Sequence, residues 1–199
     1  MATERISLPS WEEIYRSGQQ LNRYPFDAVI SFVYHNVRAS GQEKQVLELG
    51  CGAGNNLWFC QREGLKVAGI DKSERAIQVA GHIVDGDLRV GDFTSLPWPD
   101  EFADLVIDRQ ALSYCTNGEA QQVFSEVRRV LKPNGRFLFN SFSDCYRRPA
   151  TERTGEVYCY DTEELENLFS GWKILQWQHV LITEQRAMNY GEWRIWAEK

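Results

Sequence analysis

From Gln45 onward, short continuous apolar runs alternate with stretches whose apolar residues recur every three or four positions. The runs QVLEL, KVAGID, LRVGDF, ADLVID and RFLFNSF read as strands, and the intervening NNLWFCQREG and SERAIQVAGHI as helices. A longer helix is predicted in GEAQQVFSEVRRVLKPNG, where Ala120, Val123, Phe124, Val127, Val130 and Leu131 share one face and Pro-Asn-Gly ends it. Strands and helices alternating at this spacing imply right-handed βαβ crossovers and a mainly parallel sheet. The tail breaks the rule. After a helix in DTEELENLF come two strand-like runs, WKILQWQHVLIT and EWRIWAE, separated by the eight residues EQRAMNYG. A parallel crossover takes about a dozen residues or more, so the last strand must run antiparallel to its neighbour.

The first forty residues read as helical. Ser10 followed by Glu13 forms a capping box. A second helix starts at Pro25 and carries Phe26, Val29, Ile30, Val33 and Val37 on one face. Residues 143–160, SDCYRRPATERTGEVYCY, lack periodicity, and a connection that long in a compact domain tends to carry function. The chain of 199 residues is read as one domain, with N-terminal helices over residues 1–40 and a long loop over 143–160.

Composition changes this picture little: 43% hydrophobic and 25% charged residues suit a globular protein. The net charge of −6 would repel a phosphate backbone, which argues against nucleic acid as partner. No run approaches the roughly 20 apolar residues of a membrane span, and the N-terminus lacks the apolar core of an export signal. Five cysteines without a C-x-x-C pair fit reduced thiols in the cytoplasm, and with three scattered histidines no metal site is expected.

Candidate chemistry concentrates after the first strand of the alternating region, in LELGCGAGNN, residues 47–56. Gly50, Gly52 and Gly54 allow a sharp turn and a close approach of backbone to a ligand. A dinucleotide fingerprint would place glycine at position 55, where Asn55 stands, and no Lys-Ser or Lys-Thr pair follows as a phosphate loop needs. Glu48 beside the turn would repel a pyrophosphate and suits a cationic ligand. A purely structural turn remains the alternative.

The segment VLELGCGAGNN resembles the first motif of class I, Rossmann-like S-adenosylmethionine (SAM)-dependent methyltransferases, and the resemblance continues in order along residues 45–140. It implies SAM as cofactor and a three-layer αβα fold, with a seven-stranded, mostly parallel sheet of order 3-2-1-4-5-7-6 and the last strand antiparallel. Glu48, Gly50, Cys51, Gly52 and Gly54 match the first motif. Asp71, about 20 residues past the first glycine, matches the acid that binds the ribose hydroxyls, with Lys72 beside it. Asp92 and Phe93 match the residues that bond and cover adenine, and Asp108 and Arg109 the turn under the methionine part. LKPNGRFLF matches a structural element of the family. A non-catalytic SAM-binding subunit and an NAD(P)-binding oxidoreductase are the competing readings.

Methyl transfer from a sulfonium is an in-line displacement, so alignment and dryness carry most of the catalysis, and no catalytic residue is assigned. On the acceptor side, Tyr15 and Tyr24 lie in helices that in this family often cover the cofactor, with ordinary packing as the alternative. His35 is a candidate base, though a lone histidine reads more simply as packing. Arg147, Arg148 and Arg153 in the long loop suit an anionic acceptor, with a solvated loop as the plainer reading. The expected partner is a small, anionic acceptor molecule, with no nucleic acid and no membrane, and a monomeric or homodimeric state.

Overall fold

The computed structural model describes residues 9–37, 43–144, 157–182 and 190–199. Two helices, α1 (Trp11–Arg16) and α2 (Asp27–Val37), precede the alternating region. Its elements are β1 (Gln45–Leu49), α3 (Asn55–Arg62), β2 (Lys66–Asp71), α4 (Glu74–Ala80), β3 (Asp87–Val90), β4 (Ala103–Arg109), α5 (Asn117–Val130) and β5 (Leu131–Phe142). The chain closes with α6 (Thr162–Leu168), β6 (Lys173–Ile182) and β7 (Tyr190–Glu198). Among the described residues the strands form one sheet of order β3-β2-β1-β4-β5-β7-β6. Strand β7 pairs antiparallel with both β5 and β6, and the other pairings are parallel. The expected architecture and the reversed last strand are both present.

The central strands are mainly apolar because helices cover both faces of the sheet, and their charged residues gather at the ends. On one side Phe124 of α5 packs edge-on against Phe137 of β5 and Phe169 after α6. On the other, Val29 and Phe32 of α2 and Leu57 and Cys60 of α3 are fully buried in a second cluster. The register aligns the strand ends: Leu49 sits beside Ile70 of β2 and beside Asp108 of β4. Everything that follows β1, β2 and β4 therefore opens at one edge, where ligands of doubly wound sheets lie.

Two of the boundaries that differ from expectation have a visible cause. Helix α2 begins at Asp27 rather than Pro25, because the Phe26 N–H donates to the Asn56 side chain (3.0 Å) instead of opening the helix. Helix α5 ends at Val130, and Leu131, expected on its face, is extended (φ −70°, ψ 133°) and pairs with Ala103 of β4. The Pro-Asn-Gly stop thus falls inside β5, at a register shift opposite Ala103 to Leu105, with Asn134 in the left-handed region (φ +61°). The capping box at Ser10 and Glu13 is formed. Among the described residues no helix is long and apolar enough to cross a membrane.

Candidate active site

At the C-terminal edge of β1, β2 and β4 lies a cleft of about 890 Å³. Its floor is the turn after β1. Gly50 and Gly52 both adopt left-handed backbone (φ +60° and +53°), so side chains there would be strained. Neighbours fill the space as well. A Cβ on Gly50 would stand 2.5 Å from the Cβ of Ala111, and one on Gly52 would stand 2.5 Å from the Tyr15 hydroxyl. The turn is braced from β2: one oxygen of Asp71 accepts from the Gly52 N–H (2.9 Å) and the other from the Ser73 N–H (2.9 Å). Asp71 is buried yet lines the cleft, and burial raises its pKa above the ordinary carboxylate value.

Glu48 points into the same space from the end of β1. One oxygen accepts from the Asn56 amide (2.6 Å), while the other, Oε2, is buried without a hydrogen-bond partner. Burial pushes this carboxyl up to about 8, against which the Asn56 hydrogen bond acts. A buried carboxyl in that state holds its proton at neutral pH and ionises when a cation enters beside it.

The N-terminal segment roofs the cleft through contacts made by short-range chemistry on both partners. Asn55 donates to the Tyr24 carbonyl (2.7 Å), and Asn56 joins the Phe26 N–H to Glu48. Helix α1 spans from α4 to the turn after β4. Glu12 accepts from the Ser73 hydroxyl (2.6 Å) and the Arg75 N–H (3.1 Å), and Trp11 packs edge-on against Tyr114 at 5.0 Å. Between these anchors Tyr15 is buried with its hydroxyl over Gly52.

Of the residues singled out from sequence, Glu48, Gly50, Cys51, Gly52, Asp71 and Lys72 line the cleft, as do Phe93, Arg109 and Tyr15. Others lie elsewhere. Gly54 caps α3 with φ +83° and packs against Ala80 and Val84. Asp92 stands outside the lining, with one oxygen taken by the Thr94 N–H and hydroxyl and the other 3.0 Å from the Lys72 ammonium. Asp108 is fully buried and accepts from the Ala111 and Leu112 N–H groups (2.9 and 3.0 Å), which makes it the cap of the turn after β4; burial raises it to about 7. The Tyr24 side chain is 76% exposed, so Tyr24 contributes its carbonyl rather than its ring. His35 faces away, with Nδ1 at 2.8 Å from the Ser31 carbonyl and its ring against Trp196. Arg147, Arg148 and Arg153 lie outside the described residues. Sequence reading missed Asn56 as a side chain of the site, and also Phe26, Tyr114 and Tyr190 in the lining. The position of Asn56, eight residues past the acid that it orients, was the available signal.

Residues 47–139 match the methyltransferase domain family. Among curated proteins the chain is 34% identical over 151 residues to a tRNA N(3)-methylcytidine methyltransferase of Schizosaccharomyces pombe, covering 66% of this chain and 48% of that protein. It is 30% identical over 148 residues to a fatty-acid O-methyltransferase of Mycolicibacterium smegmatis, covering 68% and 50%. The chain thus spans about half the length of these relatives. Among solved structures, a SAM-dependent methyltransferase from Methanosarcina mazei superposes with a TM-score of 0.70 at 20% identity, covering 84% of this chain and 96% of that one. The domain match, the strand order and the ordered motifs place this chain in the class I, Rossmann-like SAM-dependent methyltransferase family, whose cofactor is SAM. The relatives' names span tRNA and fatty-acid acceptors, so the net charge of −6 does not exclude nucleic acid.

SAM carries an α-ammonium and a sulfonium, and the cleft lining fits that chemistry. Glu48 offers an unpartnered buried oxygen, and Asp71 lines the same cleft.

Proposed function

We propose that the protein transfers a methyl group from SAM to a small-molecule acceptor. The observation that carries this reading is Glu48 Oε2, a buried carboxylate oxygen in the cleft with no protein partner. In this assignment Glu48 takes the α-ammonium of the methionine part, oriented by Asn56, and the turn at Gly50 to Gly52 lies against that part. Asp71 takes the ribose hydroxyls while its hydrogen bonds to Gly52 and Ser73 hold the turn in place. Phe93 and the stem of Lys72 flank the adenine, with Asp92 tethering the Lys72 ammonium at the rim.

When bound, SAM supplies an electrophilic methyl on a positive sulfur. The protein's own part is alignment and exclusion of water. Helix α1 and the segment leading into α2 close over the turn, and this cover favours a small acceptor over a large one. The whole chain is then one functional domain.

Calorimetric titration with SAM and, separately, with NAD tests the reading. Saturable binding of SAM and none of NAD is the expected result. Binding of NAD alone would replace it with an oxidoreductase. Binding of SAM without release of S-adenosylhomocysteine across a panel of small acceptors would instead favour a non-catalytic SAM-binding subunit.

A further inference from the structure

Arg109 ends β4 and lines the cleft, with its guanidinium 4.0 Å from the centre of the Phe26 ring. Among the described residues, no hydrogen bond reaches this guanidinium and no carboxylate lies within 4.0 Å of it. None of its acidic neighbours pairs with it: Glu192 accepts from Arg194 (2.6 Å) and Gln110 (3.3 Å), while Asp108 and Glu48 each bind through one oxygen, to the turn after β4 and to Asn56, and keep the other buried without a hydrogen-bond partner. Arg194 in turn is bound by Glu192 and by Asp27 (2.7 Å).

A guanidinium presents five N–H donors in a fixed plane. Phe26 covers one face by a cation–π contact and leaves the donor edge free. A charge this poorly compensated is costly in a partly dry site, and burial already pulls the Arg109 pKa down. An anion in the cleft would relieve that cost, and two oxygens of one carboxylate or phosphate match the fork.

The position of Arg109 says which molecule brings the anion. The neighbouring Gln110 side chain donates to Glu192 of β7 (3.3 Å), and Tyr190 of β7 lines the same cleft. Glu48, on β1, lies on the opposite side of β4, and Asp71, on β2, one strand further in that direction. Gln110 beside it adopts a left-handed backbone (φ +63°), a conformation unusual for a side-chain-bearing residue and common at binding sites.

We propose that Arg109 is a specificity residue that grips a carboxylate or phosphate on the methyl acceptor, in the half of the cleft toward β7. This rests on the methyltransferase reading, and the experiment separates the two. Wild type, Arg109→Gln and Arg109→Lys are first titrated with S-adenosylhomocysteine and with methylthioadenosine, which lacks the amino-acid end. Each variant, saturated with S-adenosylhomocysteine, is then titrated with matched probes: benzoate against benzamide, and phenyl phosphate against phenol.

In the wild type, an anionic probe of at least one pair should bind about tenfold more tightly than its neutral partner. Arg109→Gln should abolish that preference and Arg109→Lys retain part of it. The affinity ratio of S-adenosylhomocysteine to methylthioadenosine should stay within about twofold of wild type in both variants. A collapse of that ratio in Arg109→Gln, with anion preference intact, would overturn the proposal and give Arg109 to the cofactor's carboxylate. No anion preference in the wild type would overturn it too. Failure of the wild type to bind S-adenosylhomocysteine at all would instead bring down the methyltransferase reading beneath it.

Discussion

Replacing Glu48 by glutamine keeps the shape of the side chain and the oxygen that accepts from Asn56, and removes the capacity to ionise. In the folded protein burial raises the Glu48 carboxyl from 4.5 to about 8. An acid whose folded pKa is raised lowers stability once the unfolded chain ionises. The penalty is absent below pH 4.5, grows between 4.5 and 8, and is constant above. At pH 7 it amounts to about 3 kcal/mol, and above pH 8 to about 5 kcal/mol, at 1.36 kcal/mol for each pKa unit. Glu48→Gln should therefore be more stable than the wild type at neutral pH, by roughly 6–12 °C in Tm for a chain of this size. The advantage should vanish toward pH 4.5.

The same substitution should weaken SAM binding, because a charge-assisted hydrogen bond is worth about 1.5–3 kcal/mol, or roughly 10- to 150-fold in affinity. Wild-type binding should also expel a proton. At pH 6.5 the free carboxyl is protonated and the α-amino group, with a pKa of about 7.8, is already charged, so close to one proton should leave. Calorimetry in two buffers of different ionisation enthalpy measures it directly. The reasoning is refuted if Glu48→Gln gains no stability from pH 5 to pH 8 relative to wild type, or if it binds SAM equally well.

Two further substitutions probe the roof of the cleft. Asn56→Ala leaves both the second oxygen of Glu48 and the Phe26 N–H without partners and should lower stability by roughly 2–4 kcal/mol in urea unfolding; a loss below about 0.5 kcal/mol, half a typical hydrogen bond, would show that the link is dispensable. Gly52→Ala should weaken SAM binding. Tyr15→Ala removes the hydroxyl that the new Cβ would meet at 2.5 Å. If the double variant regains wild-type affinity, Gly52 is required by the lid rather than by the ligand; the account expects the loss to persist, because the left-handed backbone and the ligand both exclude a side chain.

The sheet was legible from sequence because its signals are local. Apolar runs, helical spacing and an eight-residue connection before the last strand mark the strands and the reversed last one, and the family resemblance supplies their order. The glycine turn and Glu48 were legible for the same reason. The roof was not, because its contacts join residues from about thirty to about a hundred positions apart. Asn55 and Asn56 read as the start of a helix, and only the fold brings them under Tyr24 and Phe26. Asp92 and Asp108 show a second limit. Their positions after β3 and in β4 look alike to a motif, yet Asp92 turns to Thr94 and Lys72 while Asp108 turns inward to backbone N–H groups. Residue type marks where a carboxylate stands, and the neighbouring donors decide which way it points.

The most direct test of the cofactor assignment is a crystal structure with S-adenosylhomocysteine bound. The account predicts its α-ammonium in hydrogen-bond contact with Glu48 Oε2 and its ribose hydroxyls on Asp71. A ligand whose amino-acid end lies away from Glu48, with Oε2 still unpartnered, would contradict it.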